Sequence, residues 1–328
     1  MMKPLPILLL GAFLSLSAHA EDHAVKAISP DRLLINGTNQ ATLGLSESWA
    51  RPKPQIQRAV IIIHGRLRNA QTYLRSAERA SNQSKERGHT LLIAPQFLDE
   101  KDITAHHLAD NILRWHENTW MEGDRSLGGK PISSFTVLDH ILKRLSDDKL
   151  FPNLKEVVIA GHSGGAQVVQ RYAMIGGKVD ALLKKEGVKL RYLVANPSSY
   201  AYFDEERPLP VDKAKCARFD NWKYGLNKLP AYAGNETPAE LEAAYVKRDV
   251  TYLLGANDTN PEHPALDKSC SAEAQGANRL QRGHNYFQYL SKRHPEGLNQ
   301  RVVEVPNVGH DGDGIFTSPE GQAALFAR

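Results

Sequence analysis

Three widely separated residues have the types that acyl-transfer chemistry requires. Ser163 lies in Gly161-His162-Ser163-Gly164-Gly165, Asp258 in Gly255-Ala256-Asn257-Asp258-Thr259 and His310 in Val308-Gly309-His310-Asp311-Gly312. A serine hydroxyl is too weak an acid to attack a carbonyl unaided. It needs a neutral imidazole to take its proton and a carboxylate to hold that imidazole's tautomer. The Gly-x-Ser-x-Gly pattern is short enough to arise by accident, so its setting decides its value. Val157 to Ala160 form an apolar run suited to a buried strand, and Ala166, Val169, Gln170 and Ala173 recur at helical spacing. A strand turning sharply into a helix lifts the serine off the sheet edge, and glycines at 161 and 165 give the turn room. The helix N-terminus behind it favours a developing anion.

Each of these residues has a plainer reading. Ser163 could cap the helix, Asp258 could close a turn, and His310 could lie in a surface loop. Asp267 and Asp204 are rival carboxylates, set farther from the ends of the apolar runs. Asp311 and Asp313 flank Gly312 but fall short of a calcium loop. His64 reads as a turn residue, and His106-His107 as a solvated pair. No cofactor or metal is expected.

The elements that must position these groups alternate along the chain. Arg58 to Gly65 is a continuous apolar run, as expected of a strand covered on both faces. The pattern predicts a helix over 70–87 ended by Gly88, then a strand over 90–95. Phe135, Leu138, Ile141, Leu142 and Leu145 mark one face of a helix. Further strands are predicted over 157–161, 190–195, 250–255 and 301–305, with a terminal helix over 319–327. This alternation implies an α/β fold: a mostly parallel central sheet of about eight strands, helices on both faces. Runs at 33–35 and 41–45 read as antiparallel edge strands. Excursions over 96–133 and 198–247 interrupt the alternation and are expected to form the active-site rim. Their Trp115, Trp120, Tyr200 and Tyr202 are candidates for lining a pocket, with ordinary packing as the alternative.

From about Ile56 to Phe326 the chain resembles the α/β-hydrolase superfamily, on the elbow around Ser163, the Ile63-His64-Gly65 turn, Asp258 and His310. The resemblance implies Ser163 as nucleophile, His310 as general base and acid, and Asp258 as the orienting carboxylate. It implies an oxyanion hole made by the backbone N–H groups of Gly164 and Arg66. The Arg66 guanidinium then either points into the cleft toward a substrate carboxylate or lies on the surface. Trp120 and Tyr200 are the other candidate substrate contacts. The expected activity is that of a serine hydrolase, first a carboxylic ester hydrolase acting on a small or oligomeric ester. Amidase, peptidase and polyester depolymerase activity would use the same triad. A catalytically inert binding protein of this fold is the competing class.

Met1 to Ala20 read as a secretory signal: Lys3, an apolar run from Leu5 to Leu16, then Ala18-His19-Ala20. That run is too short to cross a bilayer. The expectation is a single domain over 21–328 in the periplasm or outside the cell, without membrane insertion. Cys216 and Cys270, the two cysteines, then suggest a disulfide, with two buried thiols as the alternative. A formal charge of +4 with interspersed signs offers no basic stripe for nucleic acid.

Overall fold

The computed structural model describes residues 23–177 and 179–327, so the signal expected over 1–20 lies outside the described residues. The chain opens with β1 (Asp31–Ile35), β2 (Asn39–Leu45), β3 (Arg58–Ile63) and β4 (Thr90–Gln96). A small pair, β5 (Leu98–Asp99) and β6 (Arg114–Trp115), sits in the first excursion. β7 (Glu156–His162), β8 (Lys189–Ala195), β9 (Asp249–Gly255) and β10 (Gln300–Val305) complete the main sheet. Its eight strands run in the order β1-β2-β4-β3-β7-β8-β9-β10. β1 with β2 and β2 with β4 are antiparallel. Every other neighbouring pair is parallel. The expected architecture is therefore present, with the two antiparallel strands together at one side of the sheet, β1 at the edge and β2 inside it.

Strand alternation builds two cores. Every residue of β3 is buried; Ala59, Ile61 and Ile63 face one core, and Val60 and Ile62 the other. The helices are α1 (Ala70–Gln83), α2 (Glu100–Ala105), α3 (Ser134–Leu145), α4 (Gly164–Ile175) and α5 (Asp180–Lys185). They continue as α6 (Pro238–Tyr245), α7 (Cys270–Glu273), α8 (Arg279–Arg293), α9 (Gly312–Thr317) and α10 (Pro319–Phe326). Ala70, Ala77 and Ala80 of α1 join Phe316 and Leu325 from α9 and α10 on one face. Phe135, Val169 and Tyr286, from α3, α4 and α8, cover the other.

α1 stops short of the expected Gly88. Lys85 takes a φ of 59°, and the Glu86 N–H donates to the Ser81 carbonyl (2.9 Å). This left-handed closure normally uses glycine, and a lysine fills the position here.

The excursions are tied down rather than loose. Cys216 and Cys270 form a disulfide across 54 positions of sequence. The Trp222 indole N–H of the second excursion donates to the Glu122 carbonyl of the first (2.6 Å). Among the described residues no helix is long and apolar enough to cross a membrane.

Candidate active site

β7 runs straight into α4, and Ser163 occupies the junction with φ 57° and ψ −115°. This is a left-handed conformation that a serine rarely adopts, and the flanking glycines show what it demands. A Cβ on Gly161 would meet the Gly165 carbonyl oxygen at 2.3 Å, and one on Gly165 the Ile63 oxygen at 2.2 Å. Ser163 does not cap α4 with its side chain. Its Oγ lies instead 3.0 Å from His310 Nε2.

His310 Nδ1 lies 2.7 Å from Asp258 Oδ2. A carboxylate only accepts, so Nδ1 carries the hydrogen and Nε2 presents its lone pair to the Ser163 hydroxyl. Burial is the largest influence on His310 and pulls it below its ordinary value of 6.5; the Asp258 bond opposes this. The imidazole is thus neutral at pH 7. Asp267 is bonded elsewhere, to the Tyr224 hydroxyl (2.7 Å) and the Ser269 N–H (2.9 Å). Asp204 accepts from the Tyr289 hydroxyl. Neither reaches the histidine.

The turn after β3 closes beside the serine. A Cβ on Gly164 would stand 3.2 Å from the Arg66 nitrogen, and one on Gly65 3.6 Å from Ser163 Cβ. The N–H groups of Arg66 and Gly164 are therefore neighbours, and neither donates to a protein acceptor among the described residues. His64 fixes this turn. The Phe97 N–H donates to its Nε2 (2.9 Å), so its Nδ1 donates to the Gly65 carbonyl (2.8 Å). Both nitrogens are committed, and burial lowers its pKa to about 4.

Ser163 opens on a cleft of about 200 Å³, lined among others by Arg66, Met121, Gln167, Lys223 and Asp267. The surface is mixed, with Met121, Pro264, Ala265 and Leu266 beside the polar groups, and one expectation is corrected. Trp120 does not reach the cleft: it is fully buried, stacked on Phe97 at 5.2 Å and 4.7 Å from His64. Tyr200 is likewise buried, stacked on Tyr286 at 4.6 Å. Trp115 and Tyr202 share that fate. Large rings release more free energy by leaving water than by lining an open groove. Arg66 does line the cleft, half-buried.

No protein-family model matches the chain, and no curated protein matches it in sequence. Solved structures do match. The poly(3-hydroxybutyrate) depolymerase of Bordetella parapertussis superposes with a TM-score of 0.60 at 20% identity, covering 89% of this chain and 87% of that one. Poly(aspartic acid) hydrolase-1 of Sphingomonas sp. KT-1 superposes with a TM-score of 0.61 at 20% identity, covering 90% and 98%. The chain has the α/β-hydrolase fold.

Within this α/β-hydrolase sheet, two residues that the sequence did not disclose hold Asp258 and His310 in place. Asn196, at the end of β8, accepts from the Gly255 N–H (2.8 Å) and donates to the Gly309 carbonyl (3.3 Å). It therefore laces together the loops that bear Asp258 and His310. Arg279, at the start of α8, is buried with one nitrogen 3.5 Å from Asp258 Oδ1 and another 2.6 Å from the Ala265 carbonyl. Its charge faces the carboxylate oxygen that His310 leaves free. Beside the serine, the Tyr73 hydroxyl meets His162 Nδ1 at 3.0 Å, and the His162 ring lies 4.6 Å from that of His310. The rim also has a third part that the sequence reading omitted, since Pro264 to Asp267 line the cleft from the β9–α8 connection. Among the described residues no cluster of three His, Cys, Asp or Glu could hold a metal ion.

Proposed function

We propose that this chain is a serine hydrolase acting on carboxylic esters, with Ser163 as nucleophile, His310 as base and then acid, and Asp258 as the orienting carboxylate. The observation that supports it is the unbroken line of hydrogen bonds from Asp258 through His310 to Ser163. As Oγ bonds to the ester carbon, its proton passes to Nε2 and the carbonyl electrons move onto oxygen. That oxygen takes hydrogen bonds from the Gly164 and Arg66 N–H groups, each worth roughly 3 to 4 kcal/mol in the transition state. Collapse of the intermediate expels the alkoxide, which leaves with the proton from Nε2. Water then gives a proton to His310 as its oxygen bonds to the acyl carbon, and Ser163 departs with that proton. One water is consumed, and an acid and an alcohol are released.

Esters come first because an alkoxide leaves with less help than an amide nitrogen. Small or oligomeric esters both suit an open cleft. Export is proposed with the activity, on the signal-like pattern of residues 1–20 and on a disulfide of the kind that persists in oxidising compartments.

The test is hydrolysis of 4-nitrophenyl esters from acetate to decanoate, with Ser163→Ala as the blank and a 4-nitroanilide beside them. A serine-dependent rate on esters supports the reading, and a rate confined to the anilide moves it to amides. No serine-dependent rate, with no fluorophosphonate labelling of Ser163, makes the chain an inert binder. Because the base must be neutral, the rate falls as pH drops through the His310 pKa, which lies below 6.5.

A further inference from the structure

Arg66 contributes more than its backbone. Arg66 is one of the residues lining the cleft that holds Ser163. Its Nε is buried without a hydrogen-bond partner, and no carboxylate among the described residues pairs with its charge. A guanidinium left unmatched next to a reacting centre is costly unless a ligand completes it.

The other charges around the cleft are already engaged. Lys223 Nζ lies 3.1 Å from Glu122 Oε1. Asp267 receives the Tyr224 hydroxyl and the Ser269 N–H, and Lys223 helps to hold it ionised. Beneath the floor, Arg171 is fully buried and touches only neutral oxygens: the Met121 carbonyl (2.9 Å), the Gln167 amide (2.9 Å) and the Ser199 hydroxyl (3.2 Å). Two of those partners, Met121 and Gln167, are themselves lining residues. Arg66, Arg171 and Lys223 thus stand against Glu122 and Asp267, leaving one positive charge unbalanced at the cleft.

We infer that the substrate carries a single anionic group, a carboxylate, which seats on the Arg66 guanidinium while its ester carbonyl lies at Ser163. One unbalanced charge suits a monoanion, and the planar fork of a guanidinium matches the two oxygens of a carboxylate. A phosphate monoester would bring a second charge, while Lys223 is already held by Glu122 and Arg171 lies buried beneath the floor. The inference deepens the serine-hydrolase reading and rests on it for the reaction, though not for binding.

Two isosteric pairs test it. One places the charge on the acyl side: the 4-nitrophenyl half-ester of adipic acid against its methyl-capped diester. The other places it on the leaving group: 4-acetoxybenzoate against its methyl ester. The Ser163→Ala protein is first titrated with all four by calorimetry, and kcat/KM is then measured on the wild-type enzyme. The charged member of at least one pair should bind and react about tenfold better than its neutral partner, less so at high salt. Arg66→Gln should bring that ratio to about one, and Arg66→Lys should restore part of it. Equal affinities and rates within both pairs, or a ratio unmoved by Arg66→Gln, overturn the inference and leave the hydrolase reading standing. Charge-selective binding without any Ser163-dependent turnover supports the anion site and overturns the hydrolase reading instead.

Discussion

The strand ends and the rim spend similar side chains in opposite ways. At the ends of β7, β9 and β10, polar groups turn toward one another across a half-open cleft. In the excursions around them, Trp115, Trp120, Tyr200 and Tyr202 turn inward and are buried, while Asn118, Met121 and Lys223 line the cleft. Where the backbone dictates a position, as at a strand-to-helix turn, residue type reports chemistry. Where a long segment must create its own core, its large rings report packing, and the cleft is surfaced by what remains.

Asp258→Asn tests the strand-end half of this contrast most severely. The amide favours the wrong imidazole tautomer, so kcat should fall about 10⁴-fold, while Asp267→Asn on the rim costs far less. Equal losses on nitrophenyl acetate would erase the distinction. Trp120→Ala addresses the rim. It should lower the unfolding free energy by about 3 to 5 kcal/mol, read by urea titration. A raised KM at unchanged stability would instead return Trp120 to the cleft. Replacing Cys216 and Cys270 together with serine should cost at most about 4 kcal/mol, from the chain entropy of the closed loop. A collapse of kcat/KM at full stability would mean that the rim governs the chemistry directly. The smallest effect comes from His64, which joins the two regions. Its folded pKa of about 4 lies below the unfolded 6.5, so only the unfolded chain gains a proton in that window. The contribution of His64, about 3 kcal/mol, should be lost as pH drops from 6.5 to 4, and His64→Gln should remove that part of the slope.

Much of the sheet was legible because buried strands read as short β-branched runs whose alternation with helices implies a mostly parallel sheet; the order in which the strands lie side by side was not. The three loops bearing Ser163, Asp258 and His310 could be located because each follows such a run. α8 escaped notice for a physical reason. Its buried face consists of Arg279, Arg282, Gly283, Tyr286, Tyr289 and Leu290, a helical repeat written largely in arginine and tyrosine. With no aliphatic stripe to mark it, neither the helix nor the guanidinium it holds against Asp258 stood out. Asn196 was invisible likewise, since a lone asparagine after a strand signals only a turn. The aromatic residues misled because sequence shows that a ring is present but not which way it faces.

The φ of 57° at Ser163 has a consequence for anyone breeding this protein toward heat tolerance. Glycine occupies that backbone region freely, so Ser163→Gly releases strain of about 1 kcal/mol or more. A selection that rewards only survival of the fold would thus be drawn to a substitution that removes the hydroxyl facing His310. Any such campaign has to count product as well as melting temperature, because at this residue the two objectives pull apart.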